Sequence, residues 1–358
     1  MTARNEQTFL LEGRRYGRGN LAELTALARD RGGIWLDLCA FLQEWFADSP
    51  TVLVHTSGST GMPKPFLAQK EKMENSARLT CDVLGLRAGD RALLCMPLRY
   101  IAGKMVVVRA LVRGLELVLQ EPSAHPFASD FPPVKFAALV PLQVFETLRV
   151  PAEAAKLAAT SILIIGGGSI DPALEASLRC LPVEAYSTYG MTETLSHIAL
   201  RRLNGTDASP WYRPFPSVAL RLSPEGTLVI DAPQVSDTEL VTNDVAELRA
   251  DGSFRILGRR DNTINTGGVK VQAETLEAEL RDAIPVPFAI TSVPDAKFGE
   301  AIILLVEPTP LEPVRQFISA HIRKYSQPKK ICVVAQIPKT ETGKIRRAEC
   351  RRLALERI

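Results

Sequence analysis

The sequence has few cysteines, and they are not arranged for metal binding or for a disulfide framework. Its 358 residues include six, without a Cys-x-x-Cys pair and without a histidine nearby at metal-ligand spacing. They are Cys39, Cys81, Cys95, Cys180, Cys332 and Cys350. A chain of this length can bury a large core without disulfides, so we expect the reducing environment of the cytoplasm.

Long hydrophobic runs are also missing. The longest purely aliphatic run is Ile302–Val306, far below the roughly 20 residues that span a bilayer as a helix. The first residues lack the apolar segment of a signal peptide, so neither export nor membrane insertion is expected. The apolar and aromatic share of 46% is too high for a disordered chain and indicates a globular protein of one or two domains.

The sequence has no strong overall charge, but its charges are unevenly distributed. The formal net charge is +3, which by itself implies no polyanionic partner. From Arg323 to the end, 11 Lys and Arg face three Glu, a surplus of +8 that leaves −5 for the preceding residues. This basic tail could bind nucleic acid, neutralise a small phosphorylated ligand or form a solvated face, and the charges alone leave all three open.

The first two thirds of the chain read as alternating strands and helices. Residues 1–50 are expected to be helical, followed by a strand at 51–55 and a helix over about 67–84. Further strands are predicted at 91–96, 115–119, 136–140 and 161–165, with helices at 102–112, 142–148 and 172–181. Apolar strands that alternate with helices are typical of a mostly parallel sheet covered on both faces.

The pattern changes beyond about residue 210. Short strands with tight turns, such as Pro224-Glu225-Gly226, predict a small antiparallel or barrel-like piece. After Asp261, strands and helices form an α+β pattern of about a hundred residues. The expected organisation is therefore α/β, with a large domain over residues 1–260 and a small C-terminal domain over residues 261–358.

The segment after the strand at 51–55 is dense in glycines and hydroxyls. It reads Thr56-Ser57-Gly58-Ser59-Thr60-Gly61-Met62-Pro63-Lys64. Short hydroxyl side chains, an approachable backbone and a lysine suit a polyanion such as a phosphate chain. The segment is not a Walker A loop, because Met62 follows Gly61.

This segment resembles the phosphate-binding loop of the adenylate-forming, or AMP-binding, enzymes, a superfamily of acyl- and aryl-CoA synthetases, luciferases and adenylation domains. Tyr189-Gly190-Met191-Thr192-Glu193-Thr194 resembles its second signature. The resemblance implies that the Tyr189 ring stacks on adenine, that Thr192 contacts phosphate and that Glu193 helps to hold Mg²⁺. A carboxylate suits that hard cation.

Three further family positions occur in the family's order, one segment ahead of Tyr189 and two residues after Thr194. The resemblance implies that Gly166-Gly167-Gly168 passes beside the adenine and that Asp244 and Arg259 contact the ribose. The triple glycine lacks the third position of a dinucleotide-binding fingerprint.

The end of the chain carries the remaining family positions. Asp261 corresponds to the hinge about which a mobile C-terminal lid rotates, and Gly267 and Gly268 correspond to the loop that lines the CoA channel. Lys344, within Pro338–Arg347, corresponds to the lysine that reaches the acyl carboxylate and the α-phosphate. An ammonium there would stabilise the charge that builds as the carboxylate attacks phosphorus.

The acid substrate is indicated by two features. The segment ahead of Thr56 is short, and Met96–Lys104 resembles the acyl-pocket segment of the short bacterial o-succinylbenzoate:CoA ligases of menaquinone synthesis, with Tyr100 where many relatives carry His. Such an acid has a second carboxylate that needs a cationic partner if it is buried.

Candidates for the acyl pocket are Tyr100, Lys104, Arg109 and His197, with Arg201 nearby. On one helix, Lys104 and Arg109 are about 140° apart and should face different sides. Each of the charged or titratable candidates is individually expected to face solvent.

The implied activity is ATP-dependent formation of an acyl adenylate followed by transfer to CoA, with ATP, Mg²⁺ and CoA required. A carboxylic acid, ATP and CoA are the expected partners, without nucleic acid, and a homodimer is one open alternative. The other functions left open are a different acyl- or aryl-CoA synthetase, an enzyme that loads a carrier protein and a non-catalytic nucleotide sensor.

Overall fold

A computed structural model describes residues 4–55, 65–339 and 345–358. The chain forms two compact units, one of Met1–Ala219 with Asp231–Leu240 and the other of Leu220–Ile230 with Val241–Ile358. No helix within the described ranges is long and apolar enough to cross a membrane.

The first unit alternates strands and helices along most of its length. Its strands are β1 (Thr8–Leu11), β2 (Arg14–Gly17), β3 (Thr51–His55), β4 (Pro65–Gln69), β5 (Arg91–Leu94), β6 (Glu116–Leu119), β7 (Phe136–Leu139), β8 (Ile162–Ile165), β9 (Glu184–Gly190), β10 (His197–Arg202) and β11 (Arg213–Pro214). Its helices are α1 (Leu21–Arg31), α2 (Gly33–Phe46), α3 (Lys70–Val83), α4 (Ile101–Arg113), α5 (Pro141–Arg149), α6 (Pro151–Ala158) and α7 (Pro172–Leu178).

Nine of these strands form one sheet in the order β11-β10-β9-β8-β7-β5-β6-β1-β2. The neighbours from β9 through β8, β7, β5 and β6 to β1 are parallel, whereas β10, β11 and β2 add antiparallel edges. The chain leaves β5 for β6 on one side and then returns to β7 on the other. In open α/β sheets, ligands bind outside the carboxyl ends of strands at such a switch point.

The centre of the sheet is apolar on both faces. Every residue of β7 and β8 is buried. Alternate residues such as Leu139 and Leu163 pack with Val144 and Leu174 from the helices of one face, because successive strand side chains point to opposite sides. Helix α4 contacts β5 and β1 and packs against α3.

The second unit contains two further sheets. Strands β12 (Ala219–Leu222), β13 (Thr227–Asp231), β14 (Leu240–Leu248) and β15 (Phe254–Arg259) form a sheet in that order. The other sheet contains β16 (Thr263–Thr266), β17 (Val269–Gln272), β18 (Phe288–Asp295), β19 (Gly299–Val306) and β20 (Lys330–Val333), with helices α8 (Ala273–Leu280), α9 (Leu311–His321) and α10 (Arg347–Leu355). Two apolar clusters line the faces of this second sheet, one with α8 and α9 and the other with α10.

The expected fold class is confirmed, and two local predictions are wrong. Residues 8–17 form the hairpin β1–β2 within a region predicted to be helical, and helix α3 begins at Lys70 because residues 65–69 pair with β3. The four-stranded sheet belongs to the second compact unit. The predicted division into a domain of residues 1–260 and a domain of residues 261–358, with Asp261 as the hinge, stays a prediction.

Candidate active site

Two neighbouring strands deliver the predicted nucleotide residues to one edge of the large sheet. Strands β8 and β9 are parallel partners, with Ile165 opposite Ser187. Gly166-Gly167-Gly168 follows β8, and Met191-Thr192-Glu193 follows β9. Because carboxyl ends of parallel strands share an edge, these segments lie side by side there.

Gly166 allows the two strands to approach closely. A Cβ atom at Gly166 would lie 2.4 Å from the Thr188 Oγ1 atom. That hydroxyl in turn donates to the Ile165 carbonyl at 3.3 Å. Gly167 has φ +79°, a left-handed conformation that favours glycine. The first two glycines are therefore required by the turn itself.

The turn after β9 is held at its base by a second close approach. Gly190 faces His197 in the antiparallel pairing of β9 with β10, and a Cβ at Gly190 would lie 2.3 Å from the Ser196 carbonyl oxygen. The fully buried Thr194 hydroxyl accepts from the Met191 N–H at 2.9 Å and lies 2.7 Å from the Ser196 carbonyl oxygen. Sequence reasoning assigned Thr194 no role; it fastens the turn that displays Thr192 and Glu193.

The Glu193 carboxylate fits a magnesium ligand. It is exposed and makes no hydrogen bond or ion pair with any residue that the structure describes. Mg²⁺ in nucleotide enzymes is commonly held by one or two carboxylates together with phosphate oxygens. No group of three or more His, Cys, Asp or Glu side chains in the described ranges could hold a metal without such help.

Tyr189 is half-buried and has an aromatic neighbour that the sequence did not reveal. Its ring centroid lies 5.9 Å from that of Tyr212, with a tilted geometry. The Tyr212 hydroxyl is 2.7 Å from the Ser187 Oγ atom, which fixes Tyr212 against β9. Tyr212 precedes the short edge strand β11, and only the pairing of that strand with β10 brings it here.

The predicted ribose residues meet within the second unit. Asp244 on β14 lies opposite Arg259 on β15, and the Arg259 Nη1 atom donates to Asp244 at 3.3 Å. The Arg259 Nη2 atom also donates to Asp261 at 3.3 Å, as does the Asn243 amide. The predicted hinge residue is thus bonded to both strands at their shared end.

Gly267 and Gly268 form the two-residue turn of the β16–β17 hairpin. Both have positive φ, +58° and +83°, as a type I′ turn requires. A Cβ on Gly267 would lie 2.9 Å from the Phe298 ring. The structure thus explains the glycines by conformation and close packing, while their assignment to a CoA channel remains a prediction.

Two predicted segments lie outside the described residues: Thr56, Ser57, Gly58, Ser59, Thr60, Gly61 and Lys64 in the first, and Lys344 in the second. The strands that flank the first segment are paired in register from Thr51–Gln69 to His55–Pro65. Next to the second segment, Lys339 forms an antiparallel bridge with Ile345.

An ion pair anchors the helix that follows the Lys344 segment. Arg347, at the start of α10, binds both Glu277 carboxylate oxygens at 2.6 and 2.8 Å and donates to the Ile290 carbonyl. Glu277 also accepts the Ile290 N–H at 2.7 Å. One buried carboxylate therefore ties α10 to α8 and β18.

The expectation that the charged acyl-pocket candidates face solvent is wrong. Lys104, Arg109 and His197 are 7%, 2% and 7% exposed. Arg201 is also largely covered, in a bidentate pair with Glu175. Each of these side chains finds polar partners on other elements, which a helical or strand pattern does not reveal.

Lys104 and Arg109 face different sides of α4, as their spacing predicts. The Lys104 ammonium donates to the Leu53 carbonyl at 2.6 Å and pairs with Glu44 at 3.1 Å. Glu44 in turn accepts the Leu53 N–H at 2.6 Å. Lys104 thus holds strand β3 and is not brought together with Arg109 or His197.

Arg109 and His197 form a buried cluster beside the turn after β9. The Arg109 Nη2 atom donates to the Ser196 hydroxyl at 2.7 Å, and the His197 Nε2 atom lies 3.2 Å from the Thr80 hydroxyl. Burial lowers the pKa of Arg109 to about 10. Burial, and secondarily the charge of Arg109, holds the pKa of His197 well below its ordinary value, so this imidazole is neutral at pH 7.

Tyr100 lies at the N-terminus of α4 and is half-buried. Its ring centroid is 4.8 Å from the Arg99 guanidinium carbon, a cation–π contact. Its N–H donates to the Pro97 carbonyl at 3.2 Å. The structure does not bring Tyr100 into the hydrogen-bonded cluster of Arg109 and His197.

An open parallel sheet has two fixed turns at its carboxyl edge, and one of them displays a hydroxyl and a carboxylate that has no partner among the described residues. This is the arrangement expected of a nucleotide site in an α/β protein. The family of AMP-binding enzymes matches residues 33–236, and the C-terminal domain of AMP-binding enzymes matches residues 288–344. The chain belongs to the AMP-binding enzyme family.

Known proteins of similar sequence and fold agree with this assignment. The chain is 26% identical over 373 residues to a 2-succinylbenzoate–CoA ligase of Geobacillus sp. (strain WCH70), covering 93% of this chain and 73% of that protein. It is 31% identical to an acyl-CoA synthetase (AMP-forming)/AMP-acid ligase II-like protein of Dyadobacter fermentans, covering 93% and 97% of the two chains with a TM-score of 0.64. The o-succinylbenzoate CoA synthetase of Bacillus subtilis, solved with ATP and magnesium, shares the fold at 20% identity, with 83% and 69% coverage and a TM-score of 0.67.

Proposed function

We propose that this chain is an AMP-forming acid:CoA ligase whose acid is 2-succinylbenzoate, acting in menaquinone biosynthesis. The observation that carries the proposal is the side-by-side placement of Gly166–Gly168 and the Gly190–Ser196 turn at the carboxyl edge of β8 and β9. The names of the curated relatives support the choice of acid.

The residues that the family resemblance singles out would bind the nucleotide. The ring of Tyr189 and the turn at Gly166 would hold the adenine, the Thr192 hydroxyl would donate to a phosphate oxygen, and Asp244 with Arg259 would bind the ribose hydroxyls. Glu193 would hold Mg²⁺, which when bound neutralises phosphate charge. The segment from Thr56 to Lys64 would bind the remaining phosphate oxygens.

The proposed reaction has two steps. A carboxylate oxygen of the acid attacks the α-phosphorus of ATP, the bond to the β-phosphate oxygen breaks, and pyrophosphate leaves. The CoA sulfur then attacks the acyl carbon, AMP leaves, and the thiol proton passes to solvent. Lys344 would stabilise the charge of the first transition state, and rotation about Asp261 would exchange the groups that face the adenylate.

The proposed location and partners follow from the same assignment. All six cysteines are unpaired, and five of them are buried, as suits a reducing cytoplasm. The acid, ATP and CoA are the proposed partners, without nucleic acid. The basic tail is then part of the lid that carries Lys344.

The proposal is tested by incubating the purified chain with ATP, Mg²⁺ and CoA and one acid at a time. The panel contains 2-succinylbenzoate, benzoate, anthranilate and succinate. We expect acid-dependent pyrophosphate exchange and thioester formation with 2-succinylbenzoate well above the other three. Exchange with another acid alone would replace the proposed substrate, and no exchange with any acid while AMP still binds would favour a nucleotide sensor.

A further inference from the structure

Arg109 is a buried cation without a counter-charge among the residues that the structure describes. It is 2% exposed, and its hydrogen bonds go to two neutral hydroxyls, Ser196 at 2.7 Å and Thr80 at 3.5 Å. Its Nε atom is buried and has no partner among the described residues. No acidic side chain that the structure describes pairs with it, whereas Arg201 and Arg347 each have a carboxylate.

Such an arrangement is costly in an isolated protein. A buried charge is normally paired, because removing it from water is unfavourable unless a counter-charge and hydrogen bonds compensate. The pKa of about 10 leaves Arg109 protonated at neutral pH. The neighbouring imidazole of His197 cannot supply negative charge, and its Nε2 and Nδ1 atoms lie near the same two hydroxyls.

The cluster is joined to the nucleotide turn by a short path of contacts. Arg109 donates to the Ser196 hydroxyl, and the Ser196 carbonyl lies 2.7 Å from the Thr194 hydroxyl. Thr194 in turn accepts the Met191 N–H. Met191 directly precedes Thr192 and Glu193. The Arg109 cation is therefore connected by hydrogen bonds to the turn that is proposed to face phosphate.

We propose that Arg109 is a positioning residue for the nucleotide: it fixes the Gly190–Ser196 turn through Ser196, and its unpaired charge is balanced by the phosphate of the bound nucleotide. This inference rests on the proposed function, because it assumes that the turn binds a nucleotide. Arg109 acts from within the protein, so its contribution depends on the charge of the ligand. A low effective dielectric around a buried charge lets it act beyond hydrogen-bond distance.

The test compares an anionic with a neutral ligand. Dissociation constants for AMP and for adenosine are measured by calorimetry on the full chain and on Arg109→Met, Arg109→Lys and the control Arg113→Met. Arg113 lies on the same helix and is already paired with Asp82. We expect Arg109→Met to weaken AMP binding by about tenfold and adenosine binding by less than about twofold. Arg109→Lys, which keeps the charge, should retain most of the AMP affinity.

Urea unfolding separates this role from a structural one. If the charge serves the ligand, Arg109→Met should be no less stable than the wild-type chain, because an unpaired buried charge is removed and the two hydroxyls retain the His197 nitrogens as partners. Equal losses of AMP and adenosine binding in Arg109→Met, or equal losses of AMP binding in the Lys and Met variants, would overturn the inference.

The two proposals fail in different ways. If the wild-type chain binds AMP and the substitution affects both ligands alike, only the inference about Arg109 is wrong. If the wild-type chain binds neither ligand, both the proposed function and the inference about Arg109 are wrong. If Arg109→Met does not fold, Arg109→Lys decides between the two roles. A Lys variant that loses as much affinity for adenosine as for AMP would show a structural role and overturn the charge-specific one.

Discussion

At the scale of single residues, the candidate site depends on glycines that leave room for a neighbour. Gly166 is the clearest case, because its missing side chain is replaced by one atom, the Thr188 hydroxyl oxygen at 2.4 Å from an added Cβ. The next Thr188 atom is 3.7 Å away. The steric conflict therefore has a single identifiable partner, which makes it reversible by a second substitution.

We predict that Gly166→Ala lowers nucleotide affinity and stability, and that Thr188→Ala in the same chain restores much of both. The single change should cost roughly 1–3 kcal/mol of unfolding free energy through overpacking. Urea unfolding and AMP titration of both single variants and the double variant measure the coupling. Strictly additive effects would show that Thr188 is not the obstacle.

His197 gives the stability a definite pH dependence. Its pKa is held well below the ordinary value by burial and by Arg109, so the unfolded chain binds a proton near pH 6.5 while the folded chain does not. The contribution of the neutral His197 ring to the unfolding free energy is complete above that pH. It is lost as the pH falls, at up to about 1.4 kcal/mol per pH unit. The neighbours that face the ring are Arg109, Thr80, Ser196 and Phe215.

We therefore expect the unfolding free energy to fall between pH 7 and pH 5, and His197→Gln to flatten that part of the curve. Urea unfolding at half-unit steps of pH checks the slope. His321→Gln, at the exposed end of α9, controls for the loss of a histidine as such. An unchanged slope in His197→Gln would contradict the neutral, buried state of this ring.

At the scale of elements, the ion pair of Lys104 with Glu44 supplies hydrogen bonds to the backbone of β3 that a neighbouring strand would otherwise make. Leu53 lies opposite Leu67 in the β3–β4 pair, yet its N–H and carbonyl bond outward to Glu44 and Lys104. Two side chains from α2 and α4 thus satisfy both backbone polar groups of one residue on the edge of β3. That strand leads directly to the segment beginning at Thr56.

We predict that Lys104→Met lowers stability by about 2 kcal/mol, since the Leu53 carbonyl loses its donor and Glu44 loses its counter-charge and keeps only the Leu53 N–H. Hydrogen exchange at the Leu53 amide should accelerate together with that loss. Lys72→Met is the matched control, because Lys72 pairs with the exposed Asp237 and such surface pairs contribute less than about 1 kcal/mol. Equal losses in the two variants would refute the special role of Lys104.

At the scale of the whole molecule, the proposed hinge and the proposed catalytic lysine make separable predictions. Lys344→Ala should abolish adenylate formation while pre-made acyl adenylate still reacts with CoA. Asp261→Pro should restrict rotation and spare adenylation more than thioester formation. Pyrophosphate exchange and CoA consumption from synthetic adenylate measure the two steps separately.

The control for this pair is Lys339→Ala, in which an exposed lysine is lost from the same basic segment. It should leave both steps near the wild-type rate. A Lys344→Ala chain impaired equally in both steps would count against the assigned role, and an Asp261→Pro chain impaired mainly in adenylation would count against a hinge at this position.

By itself, the sequence determined the class of fold and the order of the family segments. Short apolar runs such as those of β7 and β8, which alternate with longer helical patterns, indicate buried strands. The glycine-rich and hydroxyl-rich segments carry local chemistry that neighbouring residues alone define. The resemblance rests on such contiguous segments, which is why the two turns after β8 and β9 could be proposed as nucleotide-binding from their residues alone.

Only the tertiary structure decided where the isolated charges point. Lys104, Arg109 and Arg201 have partners on other elements, from Leu53 and Glu44 to Ser196 and Glu175. Long basic side chains usually face water, and burial becomes favourable only when distant parts of the chain supply partners. The same holds for Thr194 and Tyr212, whose roles arise from the pairing of β9 with β10 and of β10 with β11.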